Sequence, residues 1–236
     1  MKKLMQIISL LVVSATFNLA QANEEGAHLE KAHIDPSNMA SLQHGAKLYV
    51  NYCLGCHSLK YQRYGRLAAD LKIPPKVVID NLMFTGDKIG ETMSIHMPVE
   101  QASNWFGKAP PDLSLMARAK GVDYLYAYLK GFYKDDTRPW GVNNLAFKDV
   151  GMPHVLEPLQ GIYAKGEDGH MVQLSKGELT PEEYDEAVLD LVNFLFYVSE
   201  PIRSVRIALG IKVMFFLLLF FIAAYFLKKE YWKDVH

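Results

Sequence analysis

The chain has 236 residues, half of them hydrophobic, and a formal net charge of −1. That size supports a sizeable buried core, as one large domain or two small ones. The near-neutral balance lacks the basic character that nucleic-acid binding requires, so nucleic acid is set aside as a partner.

The N-terminus reads as a secretory signal over residues 1–22. Lys2 and Lys3 precede an apolar run, Met5 to Val13, interrupted only by Gln6 and Ser9. Ala20-Gln21-Ala22 then places small residues at the two positions a signal peptidase reads. The run is too short to be a retained membrane span, so the body is expected from Asn23 onward, outside the cytoplasmic membrane.

The body reads as mainly helical. Leu42, Ala46, Leu48, Tyr49, Tyr52 and Leu54 give residues 41–60 a helical apolar pattern, with Cys53-Leu54-Gly55-Cys56-His57 near its end. A second helix is predicted over residues 113–133, where Val122, Leu125, Tyr126 and Leu129 fall at i, i+3, i+4 and i+7. Thr180-Pro181-Glu182-Glu183 is a capping box with proline at the first helical position. The helix it opens carries Val188, Leu191, Val192, Leu195 and Phe196 on one face and stops before Pro201. Between these lie loops rich in Pro, Gly and Asn. Continuous alternating strands are scarce, and there is no internal repeat.

Residues 207–227 form the predicted membrane anchor. They carry one charge, Lys212, near the outer end, where it can snorkel to the headgroups. At about 1.5 Å per residue the segment reaches roughly 31 Å, against a hydrocarbon core of about 30 Å. Lys228, Lys229 and Lys233 follow in a cytoplasmic tail, 228–236, as the positive-inside rule prefers, although Arg203 and Arg206 flank the outer end. Tyr225, Tyr231 and Trp232 suit an interfacial aromatic belt. Without the two ends, residues 23–206 hold 19 basic and 24 acidic side chains, a balance of −5. A basic soluble partner steered by charge is therefore plausible, with ordinary solubility as the bland alternative.

Cys53 and Cys56 are the only cysteines. A disulfide between them would close a very short loop and stabilise little. A zinc site lacks a second cysteine pair, and a thioredoxin-like dithiol lacks its βαβ setting. Covalent attachment of one haem c uses every element present: two thiols for thioethers and the adjacent His57 as axial ligand. Seven other histidines and ten methionines compete for the sixth position. Met97 and Met152 lead on sequence grounds, each followed by a proline that stiffens its loop.

Four segments together resemble the cytochrome c1 family, the haem subunit of the cytochrome bc1 complex, in its bacterial form. They are CLGCH at 53–57, APPDLSLMARAKGVDYLYAYLKGF at 109–132, VGMPHVL at 150–156 and the ending YVSEPIRSVRIALGIKVMFF. The likeness runs from about residue 30 to the end. It implies a class I c-type cytochrome domain with long loops, tethered by one C-terminal transmembrane helix. It also implies covalent haem on Cys53 and Cys56, with His57 and Met152 as axial ligands. Arg118 and Tyr124 match positions near the haem edge and propionates, and Pro110 and Pro111 match the loop that shapes the haem cleft. Between Arg138 and Met152 the chain is shorter than in mitochondrial relatives, and the extra cysteines that some relatives pair are absent.

The resemblance further implies a function. The haem would take one electron from the Rieske iron–sulfur protein and pass it to a soluble or membrane-held cytochrome c, while cytochrome b carries out the quinol chemistry. Ala208, Gly210, Ala223 and Ala224 would let the anchor pack closely beside cytochrome b. No nucleophile or proton-abstracting base is asked of this chain. Two alternatives stand beside this reading: a membrane-anchored cytochrome serving another respiratory oxidase or reductase, and an exported CxxC thiol oxidoreductase.

Overall fold

The computed structural model describes residues 29–166 and 170–233. The predicted signal lies outside them. The fold class is the expected one, mainly helical with long loops and one long apolar helix near the C-terminus.

The frame is a pair of packed helices from opposite ends of the body. Helix α1 spans Met39–Leu48 and is capped by Asn38, whose side chain accepts from Ser41 N. Helix α8 spans Pro181–Ser199 and opens with the predicted capping box, both of whose hydrogen bonds are present. The helices approach closely because position 45 is glycine. A Cβ there would lie 2.1 Å from the Asp190 carbonyl oxygen and 2.7 Å from Phe194 Cβ. Around the crossing, Tyr49 meets Phe194 at 5.7 Å between ring centroids, and Asn193 Nδ2 donates to Asp35 O and Ser41 Oγ. Of the predicted α8 face, Val188, Leu191, Val192 and Leu195 are buried. Phe196 is only half-buried, and the Arg203 guanidinium lies 5.1 Å from its ring.

Two predicted helices differ in extent. The first does not run to Lys60. Beyond α1 the backbone widens into a π-helical turn, Tyr49–Cys53, and strand β1 begins at Leu59. The second divides into α5, Met116–Lys120, and α6, Val122–Lys130, at Gly121. Gly121 has φ 86° and ψ 155°, a conformation that side-chain-bearing residues rarely adopt.

Short helices α2 (Tyr64–Asp70), α3 (Pro75–Asn81), α4 (Val99–Phe106) and α7 (Glu157–Gln160) fill the connections. Three antiparallel pairs join β1 (Leu59–Arg63) to β2 (Thr92–Met93), β3 (Phe132–Lys134) to β4 (Val142–Asn144), and β5 (Gly161–Lys165) to β6 (Met171–Lys176). Tyr49, Leu59, Tyr64, Met93 and Phe194 are fully buried and form one core with the α1–α8 crossing.

Helix α9, Arg203–Tyr231, follows a break at Pro201-Ile202. Its 29 residues would reach roughly 43 Å at about 1.5 Å each. Among the described residues it is the one helix long and apolar enough to cross a membrane, and none of it is buried. It exceeds the predicted span at both ends, taking in Arg203, Arg206, Lys228 and Lys229.

Candidate functional site

The Cys53–His57 segment owes its shape to the end of α1. In the π-helical turn Leu54 N donates to Tyr49 O across five residues, and Cys56 N and His57 N then both donate to Cys53 O, at 3.1 and 2.9 Å. Such turns recur at functional sites because they re-aim the side chains that follow. Here they put two cysteines and a histidine on a single turn. Both thiols are free, Cys53 buried and Cys56 half-buried. Burial, with Cys56 beside it, pushes the Cys53 thiol up to about 12. A redox dithiol needs the opposite, a thiolate stabilised near neutrality.

His57 is buried and held at both ends. Tyr49 donates its hydroxyl hydrogen to His57 O, and the ring's Nδ1 is 2.7 Å from Pro111 O. With a carbonyl as partner Nδ1 must carry the proton, which leaves the Nε2 lone pair for another use. Burial lowers the ring's pKa against the opposing pull of Pro111 O and Asp112, so the imidazole is neutral, the form that ligates metals.

The Pro110–Ser114 loop is latched to the chain after His57 by several hydrogen bonds. Leu113 N donates to Ser58 O, Lys60 N to Asp112 Oδ2 and Tyr61 N to Ser114 Oγ. The family resemblance implies a cleft-shaping role for Pro111; in the structure its carbonyl is the acceptor that orients His57. Pro110 lines a cavity of about 120 Å³ together with Ser58, Ile95, Met97 and Asp112.

Met152 lies in separate surroundings. Its Sδ accepts from the Tyr128 hydroxyl at 3.6 Å, and Tyr128 stacks on Tyr124 at 6.1 Å and meets Phe132 edge-on at 5.4 Å. Burial, reinforced by Tyr124, pushes the Tyr128 hydroxyl up to about 12, so it stays a donor. The loop reaching Met152 is fastened to α6 by Asn144 and tied to itself by Asn143. Asn144 Nδ2 donates to Tyr128 O, while its Oδ1 accepts from Ala146 N and Phe147 N. Asn143 Oδ1 accepts from Asp149 N, and Arg138 Nη2 donates to Asp149 O. Sequence reasoning missed Tyr128, Asn143 and Asn144. The spacing of Tyr124 and Tyr128, four apart on one helix, was the available signal.

The predicted site residues thus fall in two groups. Cys53, Cys56 and His57 share one turn, with Pro111 O on the His57 ring and Pro110 in the adjoining loop, and Tyr124 joins Met152 through Tyr128. Arg118 belongs to neither. It is exposed on α5, and its charge is felt at Glu200, where it helps Arg206 hold that carboxyl low.

The sequence profile of the Cytochrome C1 family matches residues 85–235. The chain belongs to that family. It is 47% identical to the cytochrome c1 of Allochromatium vinosum over the whole of both chains. It is 27% identical to the cytochrome c1 of Rhodospirillum rubrum, over 95% of this chain and 94% of that one. A third relative, of Nitrosomonas europaea, bears the name ammonia monooxygenase gamma subunit and is 42% identical over 99% of this chain and all of its own. The profile begins after Cys53–His57, whereas the full-length relatives span that segment as well. Family membership agrees with the fold class, a c-type cytochrome domain with a C-terminal helix fit to cross a membrane.

Proposed function

We propose that the chain is the haem-bearing electron-transfer subunit of a cytochrome bc1 complex. It accepts one electron from the Rieske iron–sulfur protein on a single covalently bound haem c and passes it to a cytochrome c. The observation that carries this reading is the His57 ring, neutral and held through Nδ1 by Pro111 O on the same turn as two free thiols. That donor set suits a c-type haem: Cys53 and Cys56 for the thioethers, His57 Nε2 for one axial position, Met152 Sδ for the other. When bound, such a haem supplies reversible one-electron chemistry, its potential set by axial ligands, burial and hydrogen bonds.

The protein's own residues do the positioning. Pro111 O fixes the tautomer and plane of His57, and a hydrogen-bonded imidazole is the stronger donor. Met97 shares a cavity with Pro110 and Asp112, the residues flanking the carbonyl already engaged by Nδ1, which favours Met152 for the opposite side. Exposed apolar side chains at Trp140 and Phe147 lie in the loop that leads to Met152, and Trp140 touches Phe106. They suit the rim of a cleft for a large apolar ring. Tyr124 and Arg118 fit roles near the haem edge and propionates. Residues 1–22 serve as the signal, 23–206 as the periplasmic domain, 207–227 as the anchor beside cytochrome b in the inner membrane and 228–236 as the cytoplasmic tail.

The Nitrosomonas europaea relative's name motivates a second reading, in which the chain serves a monooxygenase. The two part on copurification: a bc1 subunit brings cytochrome b and an iron–sulfur protein, a monooxygenase subunit brings neither. The primary test is acid–acetone extraction of the denatured protein. Haem is expected to stay on the polypeptide. Extractable haem, or two titratable thiols in the mature chain, contradicts the assignment of Cys53 and Cys56.

A further inference from the structure

We propose that Tyr128 is a positioning residue for the Met152 thioether, and that its O–H···Sδ hydrogen bond tunes the sulfur's donor strength as well as fixing its place. This rests on the reading of Met152 as an axial ligand. The direction of the bond is unambiguous, because a thioether sulfur has no hydrogen to give and the phenol does. A donor–sulfur distance of 3.6 Å is normal for so large an acceptor atom. Sulfur has two lone pairs, so the one Tyr128 occupies leaves a second free for iron.

The donor is held in place from several sides. Its ring is fixed between Tyr124 and Phe132, and its backbone carbonyl takes the Asn144 amide at 2.7 Å. Asn144 in turn organises residues 146 and 147, and Asn143 holds Asp149, three residues before Met152. The hydroxyl and the sulfur it binds are thus anchored to one set of hydrogen bonds. On a rotatable methionine side chain, that contact selects one sulfur orientation.

The electronic consequence follows from charge. A hydrogen bond to sulfur draws electron density away from it and weakens its donation to a metal. Ferric iron depends on that donation more than ferrous iron does, so the Tyr128 bond favours the reduced state and raises the potential. A purely structural tyrosine would stabilise the fold without moving the potential.

The experiment compares full-length haem-loaded protein with its Tyr128→Phe and Tyr126→Phe variants. Phenylalanine keeps the Tyr128 ring contacts and removes only the hydroxyl; Tyr126 lies on the same helix, and its hydroxyl bonds Lys130 instead. The readouts are a redox titration and the ferric sulfur-to-iron charge-transfer band. Tyr128→Phe is expected to retain the band and to shift the redox equilibrium constant toward oxidised iron by about threefold to tenfold, at about 59 mV per tenfold for one electron. Tyr126→Phe is expected to leave both unchanged. A Tyr128→Phe protein with the band intact and the potential unmoved overturns the tuning role and leaves Met152 standing as ligand. A missing band in the unsubstituted protein overturns the ligand reading, and this proposal with it.

Discussion

His57 has two ring nitrogens: the structure engages Nδ1 with Pro111 O, and the proposed reading gives Nε2 to the haem. Only the proposed ligand role is legible in the sequence, because CLGCH gathers thiols and imidazole within five residues. The Pro111 carbonyl on Nδ1 comes from 54 positions away and leaves no trace in residue identity, since any residue supplies a carbonyl. Tyr128 is only partly legible: its spacing from Tyr124 places it on the same helix face, but the contact with Met152 depends on a loop that returns 24 residues later. Met152→Leu is expected to keep covalent haem, lower the potential sharply and let carbon monoxide bind reduced iron. Axial ligands move haem potentials over about 0.8 V across proteins, so this exchange should outweigh surface changes. Met97→Leu should alter only local packing, and the reverse pattern in a redox titration would exchange the two assignments. His154 provides a pH test. Its ring stacks on Phe132 at 4.7 Å, and Nε2 is buried without a hydrogen-bond partner. Burial lowers its pKa from 6.5 to about 4, with Gln160 offsetting only part of that. The unfolded chain therefore takes up the proton first as pH falls. This contribution to stability is complete above pH 6.5, declines between 6.5 and 4, and amounts to about 2 kcal/mol lost by pH 5. Denaturant unfolding at pH 7 and pH 5 should show a smaller difference for His154→Leu than for the unsubstituted chain. Equal differences would remove His154 from the acid response.

At the scale of elements, periodicity found the helices that bury one face and missed what interrupts them. Helix α8 was legible end to end because its capping box and its apolar face agree. The helix expected over residues 113–133 is two, because Gly121 takes a backbone conformation that a hydropathy pattern cannot register. Two β-pairs are too short for alternation to show, since β2 has two residues and β3 and β4 three each, while β5 and β6, five and six residues long, bury no alternating face. The α1–α8 crossing was hidden as well, since it depends on a missing side chain at Gly45. A methyl group there would press into the Asp190 carbonyl, so Gly45→Ala must push the helices apart. Overpacking of this kind costs about 1–3 kcal/mol. Chemical denaturation should show that loss, and an unchanged midpoint would mean the helices separate freely. The Pro110–Ser114 latch gives a contrasting expectation. Pro111→Ala keeps the carbonyl that orients His57, so the haem spectrum should change little while the loop loosens. Loss of the axial histidine signal would mean that the proline ring itself holds the carbonyl in place.

For the whole molecule, the proposed reading joins a body with an acidic balance to the long apolar helix α9 as a tethered electron carrier. Cleavage between Glu200 and Ile207 is expected to release a soluble, haem-bearing domain from membranes. A fragment that sediments with the membrane in high salt would require a second attachment. Electron transfer from this domain to a basic cytochrome c should slow as salt rises, because the Debye length falls from about 10 Å at 0.1 M to about 3 Å at 1 M. A flat dependence would leave the acidic surface without a part in the encounter. Both ends were read from short local patterns, the basic start with its apolar run and the long C-terminal apolar segment, whereas the packing of the body between them depends on contacts between distant residues. The central claim is that this chain carries electrons from quinol oxidation to a cytochrome c. Its most direct test is rapid mixing of the complex purified through this chain: first with reduced quinol, then with oxidised cytochrome c, while following the haem proposed to be held by Cys53 and Cys56. The expected result is reduction by quinol, blocked when the iron–sulfur protein is removed, and reoxidation by cytochrome c. A haem that stays oxidised in the presence of quinol and the full complex would contradict the account.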